Sequence, residues 1–383
     1  MSTFDFAIIG AGVFGAWTAH HLRRSGATVA LLDAYGAANS RASSGGETRI
    51  IRLGYGRDEL YTRWAKRSFP QWLDLSDRTG LRLFHPTGVL WLSDQDDPHV
   101  QGMWELLQRL PAKCEKLAAA EVRKRYPQLR FEDVTLAVLE PESGVLMARR
   151  AVQALISQLA GQSVEIRTAA VLPPIGQGKL AHIKTADGGS LSAGAFVFAC
   201  GSWLPKLFPE LLRGRIFPTR QEVFFFGPPP GSDDFRVPNM PAWLHHTHPD
   251  RPYALPDLEN RGFKIALDRH GPEFDPDSGG HVVDQPSIDR VRAYLERHIP
   301  VLQDAPVVET RVCHYENTWN GDFLIDRHPQ FDNVWLAGGG SGHGFKHGPA
   351  LGDYLSARVL SNAPEEPRFS LAGKRRQQER AVF

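Results

Sequence analysis

Phe6-Ala7-Ile8-Ile9-Gly10-Ala11-Gly12-Val13-Phe14-Gly15 decides the fold. Four apolar residues in a row are what a strand buried on both faces requires. Gly10, Gly12 and Gly15 follow in the G-x-G-x-x-G spacing. Val13 to Ser25 then places apolar or small residues at Ala16, Ala19 and Leu22, a helical spacing, and Gly26 ends the run. Thr28 to Leu32 is a second apolar strand, closed by Asp33, 23 residues beyond Gly10. Such glycines permit a tight turn, close approach of a pyrophosphate and close helix–strand packing. The helix N-terminus offers unpaired N–H groups to phosphate, and an acid at this distance suits a ribose hydroxyl. Strand, glycines, helix, strand and acid in this order predict a dinucleotide site. The motif by itself does not separate a nicotinamide from a flavin cofactor.

Outward from this unit, the chain has 383 residues, enough for two or three domains with a sizeable core. It is 42% hydrophobic and carries a net charge of +1, which argues against disorder and against general binding to nucleic acid or acidic membranes. Three cysteines, Cys114, Cys200 and Cys313, make neither a disulfide framework nor a CxxC zinc site. No apolar run reaches membrane-spanning length, and Met1 to Gly12 lacks the basic start and cleavage site of a signal peptide. A cytoplasmic protein is expected.

Two further nucleotide-type strands lie far along the chain. One is Ala195–Ala199, before Cys200-Gly201-Ser202-Trp203; the other is Asn333–Ala337, which enters Gly338-Gly339-Gly340-Ser341-Gly342-His343-Gly344 and a helix over about 350–360. Glycine there admits a flat ligand, and the helix start favours negative charge. Between them, Thr87–Leu92, Gln221–Phe226 and Phe263–Leu267 read as strands of another kind. In the last, Phe263, Ile265 and Leu267 share a core face, while Lys264, Ala266 and Asp268 share a polar cavity wall. The fold class expected is α/β (α+β): a discontinuous Rossmann-type domain with an inserted sheet-based substrate domain. The expected division assigns 1–80, 140–215 and 311–383 to the first and 81–139 and 216–310 to the second. His245, His246 and His248 read as a surface loop and not as a metal site, and Lys374-Arg375-Arg376 as a solvated tail.

The fingerprint, Gly46-Glu47-Thr48-Arg49-Ile50-Ile51-Arg52, Cys313 to His328, and Ser341-Gly342-His343-Gly344-Phe345-Lys346 together resemble the sarcosine oxidase family of FAD-dependent amine oxidases. Its members closest in pattern are monomeric sarcosine oxidase-like and N-methyltryptophan oxidase-like. The matches run along nearly the whole chain in the family's order.

The resemblance implies FAD, held by Gly10, Gly12, Gly15, Asp33, Arg41, Ser43, Gly340, Gly342, Gly344, Phe345 and Lys346, and joined covalently through Cys313 to the 8α-methyl of the flavin. It implies a carboxylate clamp of Arg52 and Lys346, an aromatic over the substrate at Tyr253, Arg49 beside the ring and Lys264 at the oxygen step. A planar donor fork and a point charge suit a carboxylate. Sarcosine oxidases carry histidine where this chain has Asp268, and again near Gly45. An acid at the Asp268 place is similar to the fructosyl-amino-acid oxidases. Asp268 is a candidate base or hydrogen-bond acceptor, with the choice open.

The implied function is oxidation of a secondary amino acid (N-methyl, N-alkyl or cyclic) by O2, giving an imine and hydrogen peroxide. The alternatives are a deglycating oxidase of fructosyl amino acids and a flavin-binding electron-transfer subunit with little oxygen reactivity. The expected partners are a small-molecule amino acid or amine and O2, with no nucleic acid or membrane, and a monomeric state.

Overall fold

The computed structural model describes residues 4–361 and 363–378. β1 (Phe4–Ile9) pairs in parallel with Ser190–Phe198 on one side and, on the other, with β2 (Val29–Asp33). Ala7 and Ile9 enter one core and Ile8 the opposite one, so the unbroken apolar run is a strand covered on both faces. α1 (Val13–Arg24) joins them and packs on helix Gly348–Ser361. Among the described residues seven strands make this sheet, with Leu324–Arg327 and Val334–Gly338 beyond Ser190–Phe198, and Glu165–Thr168 beyond β2. The carboxyl ends of β1 and β2 and the start of α1 thus meet at one edge of a crevice, where open α/β sheets bind ligands.

An eight-stranded sheet stands over that crevice. Its order is Val307–Asn317, Phe217–Phe226, Phe263–Leu267, Pro252–Leu255, Ala242–His245, Val89–Ser93, Leu136–Glu140 and Glu115–Ala118. One face buries Phe224, Phe226, Phe263 and Ile265 with Val291 and Leu295 of helix Gln285–His298. On the other face Val223, Phe225 and Ala266 gather with Tyr253. The alternation read in Phe263–Leu267 therefore holds, with Ala266 on the opposite face to the core pair, but the polar wall expected there does not: Ala266 gathers with apolar neighbours, and Lys264, Ala266 and Asp268 are not among the residues lining the main cavity. The strand Val307–Asn317 runs through position 311, and its pairing with Phe217–Phe226 belongs to this sheet. A small sheet of Arg49–Ile51, Gly144–Leu146 and Phe84–His85 inserts between the two large ones.

Two surface expectations fail. His245 ends a strand and is fully buried: its Nδ1 meets the Tyr294 hydroxyl at 3.0 Å and its Nε2 the Asp133 carboxylate at 3.1 Å. His246 is also buried, its Nδ1 2.6 Å from Asp97. Lys374 is buried too, donating to the Arg368 carbonyl at 2.6 Å, while Arg375 and Arg376 are exposed. Each is a polar residue drawn inward by a partner distant in sequence or lying in another loop. Among the described residues no cluster suited to a metal ion occurs, and no helix is long and apolar enough to cross a membrane.

Candidate active site

A cavity of about 370 Å³ fills the crevice, within the usual size of ligand pockets. Gly10 has φ +105°, and a Cβ there would lie 2.3 Å from the Ala199 carbonyl oxygen; a Cβ on Gly15 would strike the Gly10 carbonyl. The fingerprint glycines therefore bring α1 down onto the strands. Ser44 Oγ accepts the Val13 N–H at 3.1 Å at the open end of α1. Asp33 accepts the Ala11 and Tyr35 N–H groups, each at 2.9 Å, and burial raises its carboxyl above the ordinary range. The wall continues over Ala199, Cys200, Gly201 and Trp203 to Cys313, Tyr315, Gly340, Gly342, Gly344 and Phe345. His314 is held neutral, its pKa pushed down to about 4 by burial; its Nε2–H donates to the Arg41 carbonyl and its Nδ1 accepts the Ser202 hydroxyl. A chamber with an acid at one end, a helix start in the middle and a cysteine and glycine loop at the other fits an extended dinucleotide.

A second group of side chains crowds the Cys313 end. Arg49 points its guanidinium at the Cys313 Sγ, 3.6 Å away, and donates to the carbonyls of Thr48 and Ser43. Lys264 is buried, donating to the Thr48 carbonyl and hydroxyl at 3.1 Å each. Burial, then Arg49, push its pKa well below the ordinary lysine value. The Tyr253 ring lies 5.9 Å from Lys264 Nζ. The Tyr315 hydroxyl donates to Asp268 Oδ1 at 2.6 Å.

The other two cations approach from a loop and a short helical turn. Arg52 is buried with its guanidinium 4.4 Å from the Tyr55 ring centre and 4.7 Å from that of Trp91. Glu140 fixes this loop by accepting the Leu53 and Gly54 N–H groups, the Trp91 indole N–H and the Ser143 hydroxyl. Lys346 Nζ donates to the Tyr55 hydroxyl at 2.8 Å and the His343 carbonyl at 3.0 Å. Tyr55 meets His347 Nε2 at 2.7 Å, and the Trp72 indole holds the Lys346 carbonyl at 2.9 Å. Burial, then Arg52, push Lys346 well below its ordinary pKa. Among the described residues, neither lysine has a carboxylate in ion-pair contact.

Of the residues singled out from sequence, Gly10, Gly12, Asp33, Ser43, Arg49, Cys313, Gly340, Gly342, Gly344 and Phe345 line the cavity. Gly15 acts behind it, in packing. Arg41 does not line it: its side chain is exposed over the Tyr35 ring, and only its backbone carbonyl reaches the site through His314. Lys346 stands behind the glycine loop with Arg52 rather than in the cavity wall. Sequence reading passed over Ser44, Ser202, Tyr55, Glu140, Tyr315 and Glu316. Tyr315 and Glu316 lie two and three residues beyond Cys313 on one strand, a signal that could have found them.

Fold and cavity define a flavin-type oxidoreductase with a cation-rich group of side chains at the Cys313 end of the cavity. The family model for FAD dependent oxidoreductases matches residues 5–358. Monomeric sarcosine oxidase from Bacillus sp. (strain B-0618) is 30% identical over 378 residues, 95% of this chain and 94% of that protein. Peroxisomal sarcosine oxidase from Homo sapiens is 30% identical, covering 94% and 93%. The solved structure of L-proline dehydrogenase from P. horikoshii superposes with TM-score 0.83 at 21% identity over 97% of each chain, which shows the fold. The chain belongs to the FAD dependent oxidoreductases and, within them, to the sarcosine oxidase family.

Proposed function

We propose that the protein oxidises a secondary amino acid, N-methylated, N-alkylated or cyclic, using oxygen and releasing hydrogen peroxide. The observation that carries this reading is Lys346, buried beside Arg52 and, among the described residues, hydrogen-bonded to a phenol and a carbonyl rather than to a carboxylate. A buried ammonium without a counter-ion is costly, and a substrate carboxylate would relieve it. Arg52 and Lys346 hold that carboxylate. Asp268, fixed by Tyr315, offers an acceptor for the amine N–H. Tyr253 packs over the substrate. Bound FAD supplies the acceptor for the hydride equivalent that leaves the carbon next to nitrogen. Lys264, anchored on Thr48, serves the oxygen step, and Arg49 holds positive charge beside Cys313. The names of the relatives, sarcosine oxidases, support this substrate class. The reading keeps a cofactor domain and a substrate layer, with the eight-stranded sheet as that layer, and moves the bounds given from sequence so that Leu136–Glu140 and Val307–Asn317 stay whole within the sheet. It takes the protein as a monomer, which a sizing column tests.

A peroxide-coupled screen of secondary amino acids on the purified chain tests the proposal. Turnover of N-methyl amino acids is expected. Activity confined to fructosyl-glycine would favour the deglycating reading, to which the acid at position 268 lends weight. No peroxide from any of them, with reduction of an added electron acceptor, would favour an electron-transfer subunit.

We also assign Cys313 as the covalent attachment. It is buried in the cavity wall, 3.6 Å from Arg49. Acid precipitation should give a yellow pellet from wild type and a white one from Cys313→Ser, whose FAD washes out. A white pellet from flavin-saturated wild type would refute the linkage.

A further inference from the structure

Glu316 is a buried carboxyl in the cavity wall that the reaction above does not use. Its Oε1 accepts the Gly340 N–H at 3.2 Å, and its own carbonyl accepts the Ser341 N–H at 3.2 Å, so the residue is pinned to the glycine loop. Among the described residues, Oε2 is buried and has no hydrogen-bond partner. The side it presents is lined by glycine: a Cβ on Gly338 would lie 3.3 Å from Oε2, and one on Gly201 3.6 Å. Buried acceptors are nearly always satisfied, and an unsatisfied one signals an absent partner. Along the cavity, Asp33 marks one end and Cys313 the other. Gly201, which faces Oε2, follows Ala199, which packs on Gly10 of the fingerprint, and Cys313 lies three residues back along the strand that carries Glu316, so Glu316 stands between those ends.

We propose that Glu316 binds the cofactor, its Oε2 accepting a hydrogen bond from a ribityl hydroxyl of FAD. The middle of an extended dinucleotide presents only phosphates and these hydroxyls. A carboxylate repels the first and accepts from the second. Burial raises the Glu316 pKa to about 7. A hydroxyl donated to Oε2 favours the anion, so FAD binding near pH 7 expels a proton from the carboxyl. The inference rests on FAD binding, which the family gives, and not on the substrate proposed above.

The test uses full-length apoprotein carrying Cys313→Ser, so that FAD exchanges, with binding read by quenching of flavin fluorescence. Glu316→Leu should weaken FAD about 10- to 100-fold, the range for a hydrogen bond to a charged group. An FAD analogue with a deoxygenated ribityl chain should bind the Glu316 protein about as much more weakly, yet bind Glu316→Leu no worse than FAD does. An equal penalty for the analogue in both proteins would overturn the proposal, as would unchanged affinity in Glu316→Leu. If Glu316→Leu fails to fold, Glu316→Gln decides. Titration calorimetry near pH 7 in two buffers of different ionisation enthalpy should show proton release with glutamate and none with glutamine. Identical release from both would overturn it.

Discussion

Lys264→Met should slow reoxidation of the reduced enzyme by oxygen about 10²–10³-fold, the usual loss for one positioned electrostatic group, while anaerobic reduction by substrate should change little. The lysine is buried, lies 5.9 Å from the Tyr253 ring centre, and is tied to Thr48 by two hydrogen bonds, so it is a fixed charge rather than a mobile one. Charge develops on oxygen only when electrons reach it, and that is the step the proposed function gives to this cation. Methionine keeps the approximate length and removes the charge. Stopped-flow absorbance separates the two half-reactions. A sign follows for pH. Burial, then Arg49, lower the Lys264 pKa, so Nζ loses its proton below the range of an exposed lysine. The oxygen rate should therefore fall as pH rises through that lowered value, and the methionine variant should show no such fall. Collapse of reduction with wild-type reoxidation would make Lys264 a substrate residue.

What the sequence disclosed follows from how local each signal is. β1, α1 and β2 lie within residues 4–33, and their pattern answers to backbone geometry alone. The Phe263–Leu267 alternation was legible for the same reason. Helix Glu59–Thr79 was not read, although Tyr61, Trp64, Ala65, Ser68, Trp72 and Leu75 form a buried stripe at helical spacing. Pro70 masks it, and that proline sits on the exposed side. His245 looked like a surface residue because its partners Asp133 and Tyr294 come from other segments, whereas Lys374 turns back onto the Arg368 carbonyl six residues earlier, which a basic run does not disclose. The chamber itself joins Arg52 to Lys346 and Lys264 to Thr48 across the chain, and no periodicity carries such pairings. Family resemblance brought those cations together. The supporting polar groups, Tyr55 and Glu140 above all, emerge only from the packing.

Methyl esters and decarboxylated analogues of a good substrate should lose two to nearly four orders of magnitude in kcat/KM. Breaking a buried ion pair by removing one partner costs roughly 3–5 kcal/mol, and about 1.4 kcal/mol is a factor of ten. Two features make the chamber sensitive. Lys346 spends donors on Tyr55 and the His343 carbonyl, so its approach to an anion is fixed in direction. Arg52 lies between the Tyr55 and Trp91 rings on a loop held by Glu140, so little reorganisation is available to a poorer ligand. Lys346→Met should show the same loss with the acid, and a smaller further loss with the ester, because each change removes the same contact. Proton linkage gives an independent check. Burial and then Arg52 lower the Lys346 pKa, while a bound carboxylate favours the ammonium. KM for the acid should rise with pH above the lowered value, and KM for the ester should not. Equal turnover of acid and ester, with parallel pH profiles, would remove the clamp and with it the case for an amino-acid substrate.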